Sequence, residues 1–247
     1  MDKSNGAVIY SGPSMLDGAP IVAIVTGLQS ASANDKTGGM LQTWILRADV
    51  APTTAVRSGQ DASVCGDCKH RPANGGACYV TVFQAPLSVF KAYGRGVYPT
   101  VADADALSAL GADRKVRIGS YGDPAAVPAH VWHALISRAE MHTGYTHQWA
   151  TGAHDDLRAI VMASADTAYE RDMARAAGWR TFRVRSADEP LGEREAVCPA
   201  SSEAGYKTNC ATCGACNGAG TGRRGSIAIV VHGAKSKVNA YAAQRAA

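Results

Sequence analysis

Seven cysteines carry the most specific chemical signal in this 247-residue chain. Three of them, Cys210, Cys213 and Cys216, form a CxxCxxC run, and Cys198, followed by Pro199, lies shortly before it. Far upstream, Cys65 and Cys68 make a CxxC pair and Cys78 follows. Three thiols at two-residue gaps on a tight loop can all face one inorganic centre, and a backbone wrapped round an iron–sulfide cube presents its corners in this rhythm. Cys198, Cys210, Cys213 and Cys216 therefore read as a [4Fe–4S] site. Two other readings stand beside it. CxxC pairs also hold zinc, and Cys65 and Cys68 with Cys213 and Cys216 would complete a tetrahedral site of four thiolates. Disulfides are the third, opposed by the odd cysteine count and by a start without a secretory layout. The third thiol of the run sets the order, since paired zinc ligands gain nothing from it.

The elements that must position these thiols follow from composition and pattern. A hydrophobic share of 46% and a charged share of 19% describe a globular chain able to bury a sizeable core. The net charge of +4 permits a nucleic-acid partner without demanding one. The apolar stretches are of strand length and too short to span a bilayer, which points to the cytoplasm. Strands are expected at residues 19–26, 43–47, 77–83, 115–120, 143–149, 159–164, 179–184, 194–198 and 226–232. Helices are expected at 86–93, 102–110, 129–141, 166–177 and 237–247. The region holding Cys65, Cys68, His70 and Cys78 reads as irregular, because Pro72, Gly75 and Gly76 break regular structure. Alternating strands and helices indicate parallel βαβ units in one α/β domain, open or curled into a barrel or partial barrel, with the barrel forms favoured. Residues 48–80 and 198–224 would be metal-binding loop insertions within it.

Ligands of such a sheet belong at the carboxyl ends of its strands. The residues expected there are Ser120 and Asp123, His147 and Gln148, Ser164 and Asp166, Arg183 and Arg185, Cys198 and His232, together the rim of one pocket. Asp123, His147 and Asp166 are the candidate catalytic groups, with helix capping as the plainer role of each aspartate. Ser120, Gln148, Arg183 and Arg185 are candidate cofactor contacts, the two arginines suited to an anion or else to an exposed strand edge. His130, His133 and His142 read as surface or packing residues. The loop at residues 30–39 has the Lys, Thr and paired glycines of a phosphate cradle, but with the glycines on the wrong side of the Lys. A mobile glycine loop is its plainer reading. Arg223 and Arg224 could touch a nucleic-acid backbone or simply be solvated.

Bacterial ferredoxins use the same CxxCxxC run with a remote Cys-Pro as fourth ligand, although here the Cys-Pro precedes the run. Asn34-x-Lys36-Thr37-Gly38, Cys78-Tyr79-Val80, Gly122-Asp123, Tyr145-Thr146 and the C-terminal run together resemble a group of phage-encoded proteins of the gene product 88 type. Val80 stands where that group has Ala. The resemblance implies a phage origin, hence an infected bacterial host, and a metal site, and it brings no reaction. A more distant similarity is to radical S-adenosylmethionine enzymes, which set a three-Cys cluster at the mouth of a partial barrel; their CxxxCxxC signature is absent. It brings S-adenosylmethionine into view as a cofactor. Cys65, Cys68 and Cys78 would leave one iron open unless His70 closes it, so the N-terminal set reads as reactive and the C-terminal set as auxiliary.

Three functions follow as expectations. The first is an iron–sulfur enzyme acting on a nucleotide or nucleic-acid base, with one or two clusters. The second is a transglycosylase-like barrel with structural zinc and Asp123 or Asp166 as nucleophile. The third is a metal-stabilised nucleic-acid-binding protein without catalysis.

Overall fold

The computed structural model describes residues 4–31, 34–220 and 225–246. Strands β1 (Gly6–Pro13), β2 (Pro20–Thr26) and β3 (Leu41–Arg47) form an antiparallel meander. Strands β4 (Lys115–Tyr121), β5 (Met141–Thr146), β6 (Met162–Ala165) and β7 (Thr181–Arg185) then add in parallel, one after another. The last strand, β9 (Ser226–Val230), pairs with β7, and the short β8 (Glu195–Val197) lies outside β9, both in parallel. The result is a mostly parallel α/β sheet of nine strands in the order β1-β2-β3-β4-β5-β6-β7-β9-β8.

The sheet does not close, so the complete barrel is not formed. In strand order the meander grows outward from one side of β4 and the parallel units from the other. Its two edges, β1 and β8, consequently end at opposite margins. The buried run Ile21–Val25 in β2 has no exposed side chain, as a strand with neighbours on both sides and cover on both faces requires.

Helices α1 (Pro52–Ser58), α2 (Ala62–Cys65), α3 (Ala85–Gly94), α4 (Ala104–Gly111), α5 (Ala129–Ile136), α6 (Ala168–Ala176), α7 (Cys210–Cys213) and α8 (Lys235–Ala246) complete the order. Helix α4 begins where the Asp103 carboxylate accepts the Ala106 N–H at 2.8 Å. Its last residue, Gly111, lies against α5 so closely that a Cβ would sit 1.8 Å from the Leu135 carbonyl oxygen. Helix α5 turns Val131, Trp132 and Leu135 inward. Trp132 settles its indole N–H on the Pro124 carbonyl at 2.9 Å. The main core joins these helices to β1–β6. A second, smaller core comprises Met162, Ile227 and Ile229 with Cys198 and Cys216, so two thiols are seated in apolar packing.

Several elements depart from expectation. Strand β1 is additional. Residues 77–83 form no strand; they run as a loop that leaves Tyr79 and Phe83 exposed. The region before them is not irregular throughout, because α1, α2 and a 3-10 turn at Pro72–Asn74 fall within it. Proline at the start of α1 and of that turn initiates helical geometry, being pre-set for it. Helix α5 ends at Ile136, freeing Met141 to begin β5. Strand β5 stops at Thr146, and Gln148–Thr151 turns as a 3-10 helix. No described helix is long and apolar enough to cross a membrane.

Candidate metal centres

The seven thiols separate into a group of four and a group of three. Cys198, Cys210, Cys213 and Cys216 line one narrow cavity with Thr143 and Tyr145 of β5 and with Pro199 and Ala200. Their loop enters the sheet through a split. Strands β5 and β6 pair only at Tyr145↔Met162 and Thr146↔Ala163, the carboxyl end of β5 against the amino end of β6. At the amino side the Gly144 N–H is donated to the Cys216 carbonyl at 3.1 Å, and Ala219 and Gly220 donate to the Arg158 and Ala159 carbonyls. The buried Arg180 fastens the same loop: its guanidinium donates to the Ala215, Gly218 and Gly225 carbonyls and to Asn217 Oδ1 at 2.7–3.2 Å. The Asn34–Gly38 turn docks from the other side, where Cys210 and Ala211 donate their N–H groups to the Lys36 and Thr37 carbonyls. Gly38, at φ +67°, is required there, because a Cβ would lie 2.9 Å from that of Ala211. Over the residues described, the peptide groups of this loop serve the cysteine turn. Lys36 Nζ donates to His232 Nε2 at 2.6 Å. Burial lowers the Lys36 pKa, against the opposing influence of Cys198 and Cys210 beside it.

Cys65 ends α2, and Cys68 and Cys78 follow on its loop. Arg71 holds that loop in shape, donating to the Gly59 carbonyl at 2.6 Å and to the buried Asp61 carboxylate at 2.7 Å. Cys78 donates its N–H to the His70 carbonyl. The zinc pairing of Cys65 and Cys68 with Cys213 and Cys216 is not the arrangement formed, since the second CxxC pair faces Cys198 and Cys210 instead.

Thiolates around one zinc ion at ~2.3 Å would lie roughly 3.8 Å apart. Among the described residues no three sulfurs are within 4.8 Å of one another. A cube of irons and sulfides spreads its ligands further. The Cys210–Cys213 turn carries the exposed Thr212 at the surface. Three sulfurs already receive a backbone N–H from the residue two positions on: Cys68 from His70, Cys78 from Val80 and Cys198 from Ala200. Tyr145 adds its hydroxyl to Cys216. Such donors stabilise thiolate sulfur. Against them, burial pushes Cys68 and Cys216 up to about 12 and raises Cys65, Cys78 and Cys198. A cationic centre reverses that preference by taking the thiolate as ligand.

The strand-end residues do not form one rim. Asp123, His147 and Asp166 gather beside the three-thiol loop, joined by His70. Asp123 is buried, and its carboxylate accepts from Thr146 Oγ1 at 2.7 Å, from the His147 N–H at 2.7 Å and from the Ala125 N–H at 3.0 Å. It caps the turn at Pro124–Ala126 and ties the end of β4 to the end of β5. Burial raises its pKa and lowers that of His147.

Asp166 does not cap α6. Thr167 does so, accepting the Glu170 N–H, while Glu170 reaches back to the Asp166 N–H at 2.6 Å. The Asp166 carboxylate is thereby left to face His70 Nε2 at 2.9 Å and Lys69 Nζ at 3.3 Å. Burial works to raise its pKa, but His70, His147 and Lys69 outweigh it and bring the pKa to about 2.

The remaining candidates serve the fold. Ser120 donates to Gln42 Oε1 at 2.7 Å. Gln148 donates to the Cys65 carbonyl at 3.4 Å and packs against Gly66. Arg183 and Arg185 correct the anion-site expectation and its strand-edge alternative together. Both are buried, Arg183 forked onto Glu195 at 2.7–2.9 Å and Arg185 paired with Glu203. Strand β7 is interior to the sheet, so the charges on it had to be matched from within. His130 and His133 are exposed and His142 is half-buried. Arg223 and Arg224 lie outside the described residues.

Comparison with protein-family models, with curated proteins and with solved structures finds no match to this chain. Four contributors escape sequence reasoning: Arg71, Asp61, Arg180 and Tyr241. Each acts through a fold-dependent partner, and only Arg71, three residues after Cys68, stands near a motif.

Proposed function

We propose that this chain is an iron–sulfur enzyme with two centres, acting on a nucleotide or a nucleic-acid base, along the lines of the phage-type and partial-barrel resemblances. The observation that carries the reading is the four-plus-three division of the thiols, with the group of three beside a buried cluster of Asp123, His147, Asp166 and His70. Cys198, Cys210, Cys213 and Cys216 would hold one cluster and Cys65, Cys68 and Cys78 the other. When bound, such clusters supply electron transfer where four thiolates hold them, and an iron open to a ligand where only three do. His70 directs Nε2 to Asp166, which supports a three-thiol set.

The chain's own residues supply the rest. His147, its pKa lowered by burial, is neutral at pH 7 and can accept a proton; Asp166 stays ionised beside His70. Tyr79, Phe83 and Tyr206 expose aromatic faces on the two cysteine-bearing segments. Stacking on such faces contributes about 1–3 kcal/mol per base. The transglycosylase reading loses Asp123 as its nucleophile, whose carboxylate is already engaged by three internal donors, and would rest on Asp166.

Anaerobic purification should yield brown protein with about eight irons per chain, falling to about four when Cys210 and Cys213 are changed to Ser. Incubation with DNA, RNA and nucleotides under reducing conditions, followed by mass analysis of the bases, tests the substrate class. Colourless protein with stoichiometric zinc would end the iron–sulfur reading, and unaltered bases with fully loaded protein would end the substrate reading.

A further inference from the structure

We infer that His70, His147 and Asp166 form a binding site for a divalent first-row transition-metal ion, distinct from the thiols and independent of whether they carry clusters. One ligand atom from each lies within 4.8 Å of the other two. Two imidazoles and one carboxylate are the donor set that such ions accept while keeping positions open. His70 Nε2 and Asp166 Oδ1 are 2.9 Å apart. Two ligand atoms at ~2.1 Å from one ion and at right angles to each other would be roughly 3.0 Å apart. This pair thus needs almost no movement, and the ligand atom of His147 lies within 4.8 Å of both.

A cavity of about 200 Å³ opens beside His70 and Asp166, lined also by Thr167, Tyr241 and Gln244 and by the cations Lys69 and Arg245. Two buried lone-pair atoms of these lining residues, Asp166 Oδ2 and Gln244 Oε1, have no hydrogen-bond donor. His70 Nδ1 is likewise buried without a partner. Asp166 is 3% exposed, so its second oxygen has no access to bulk water. Lys69 Nζ lies 3.3 Å from that oxygen and places its shorter contact, 2.7 Å, on Glu170. The ligands are also braced: Tyr241 of α8 stacks on the His70 ring at 6.1 Å, and Asp123 fixes the His147 backbone N–H.

The test uses Mn2+ on the full chain, since a hard ion favours nitrogen and oxygen over thiolate. Loss of the free-ion paramagnetic resonance signal should report about one Mn2+ per chain. Asp166→Asn and His147→Gln should each weaken binding by more than about 100-fold while leaving iron content unchanged. Circular dichroism establishes that each variant is folded, and either one suffices. Co2+ should give the weak bands of nitrogen and oxygen ligands. No uptake at millimolar Mn2+, undiminished binding in a folded variant, or an intense thiolate–cobalt band at the first equivalent would overturn the inference.

Discussion

Three residues of like appearance in the sequence have three different tasks. Asp123 is consumed by capping and by tying β4 to β5, whereas Asp166 is released from capping by the reciprocal Thr167–Glu170 bonds and turns to His70. Glu195, which no motif marks, neutralises Arg183 where both side chains are at most 1% exposed. Burial works to raise the Glu195 pKa, and the forked hydrogen bonds of Arg183 outweigh it, so the pKa falls below its ordinary 4.5. A carboxylate lowered in this way contributes stability that is complete above pH 4.5 and lost as pH falls through the folded-state value. Glu195→Gln should therefore lower Tm at pH 7 by about 10 °C, from a loss of roughly 3–5 kcal/mol, and flatten the acid limb of the stability curve. Thermal melts from pH 3 to pH 7 measure both; a variant with the wild-type acid limb would contradict this assignment. Chemical type at these positions was legible beforehand, and role was not, because role depends on which donor arrives from a distant strand.

At the level of elements, the deciding feature is the split between β5 and β6. It admits the cysteine loop into the sheet, and Arg180 at the start of β7 replaces the missing ladder bonds with donors to that loop's carbonyls. Arg180→Ala leaves those carbonyls unmatched and should halve iron incorporation, removing the four-thiol share and sparing that of Cys65, Cys68 and Cys78. Metal analysis of the variant beside Cys210→Ser distinguishes this from general unfolding, which would strip both. Most strands and helices could be read from periodicity, since burial on both faces gives β2 and β9 their continuous apolar runs. The strand expected at residues 77–83 fails for lack of a partner ladder, which no local pattern reports. Strand β8, expected at residues 194–198, does form, as a three-residue edge beside β9.

On the scale of the molecule, the thiol groups are tied to the fold at many points: the loop after α2, the sheet split and the second core. Metal loading should consequently stabilise the whole chain. Folded thiols held near 12 without metal must lose protons to bind it, so the gain grows as pH rises and protons compete less. Stripping the metal with a chelator should lower Tm at pH 8 by more than it does at pH 6; equal shifts would show that the thiols take no part. The sequence by itself determined the α/β class, the cysteine positions and the kind of chemistry they allow, because periodicity and spacing are properties of the local chain. Only the tertiary structure decided that the sheet stays open, that the thiols divide four and three, that Arg183 and Arg185 face buried glutamates, and that His70 joins Asp166 and His147. Each of these is a contact between residues far apart in sequence, and such contacts are set by packing and strand order rather than by any short stretch of the chain.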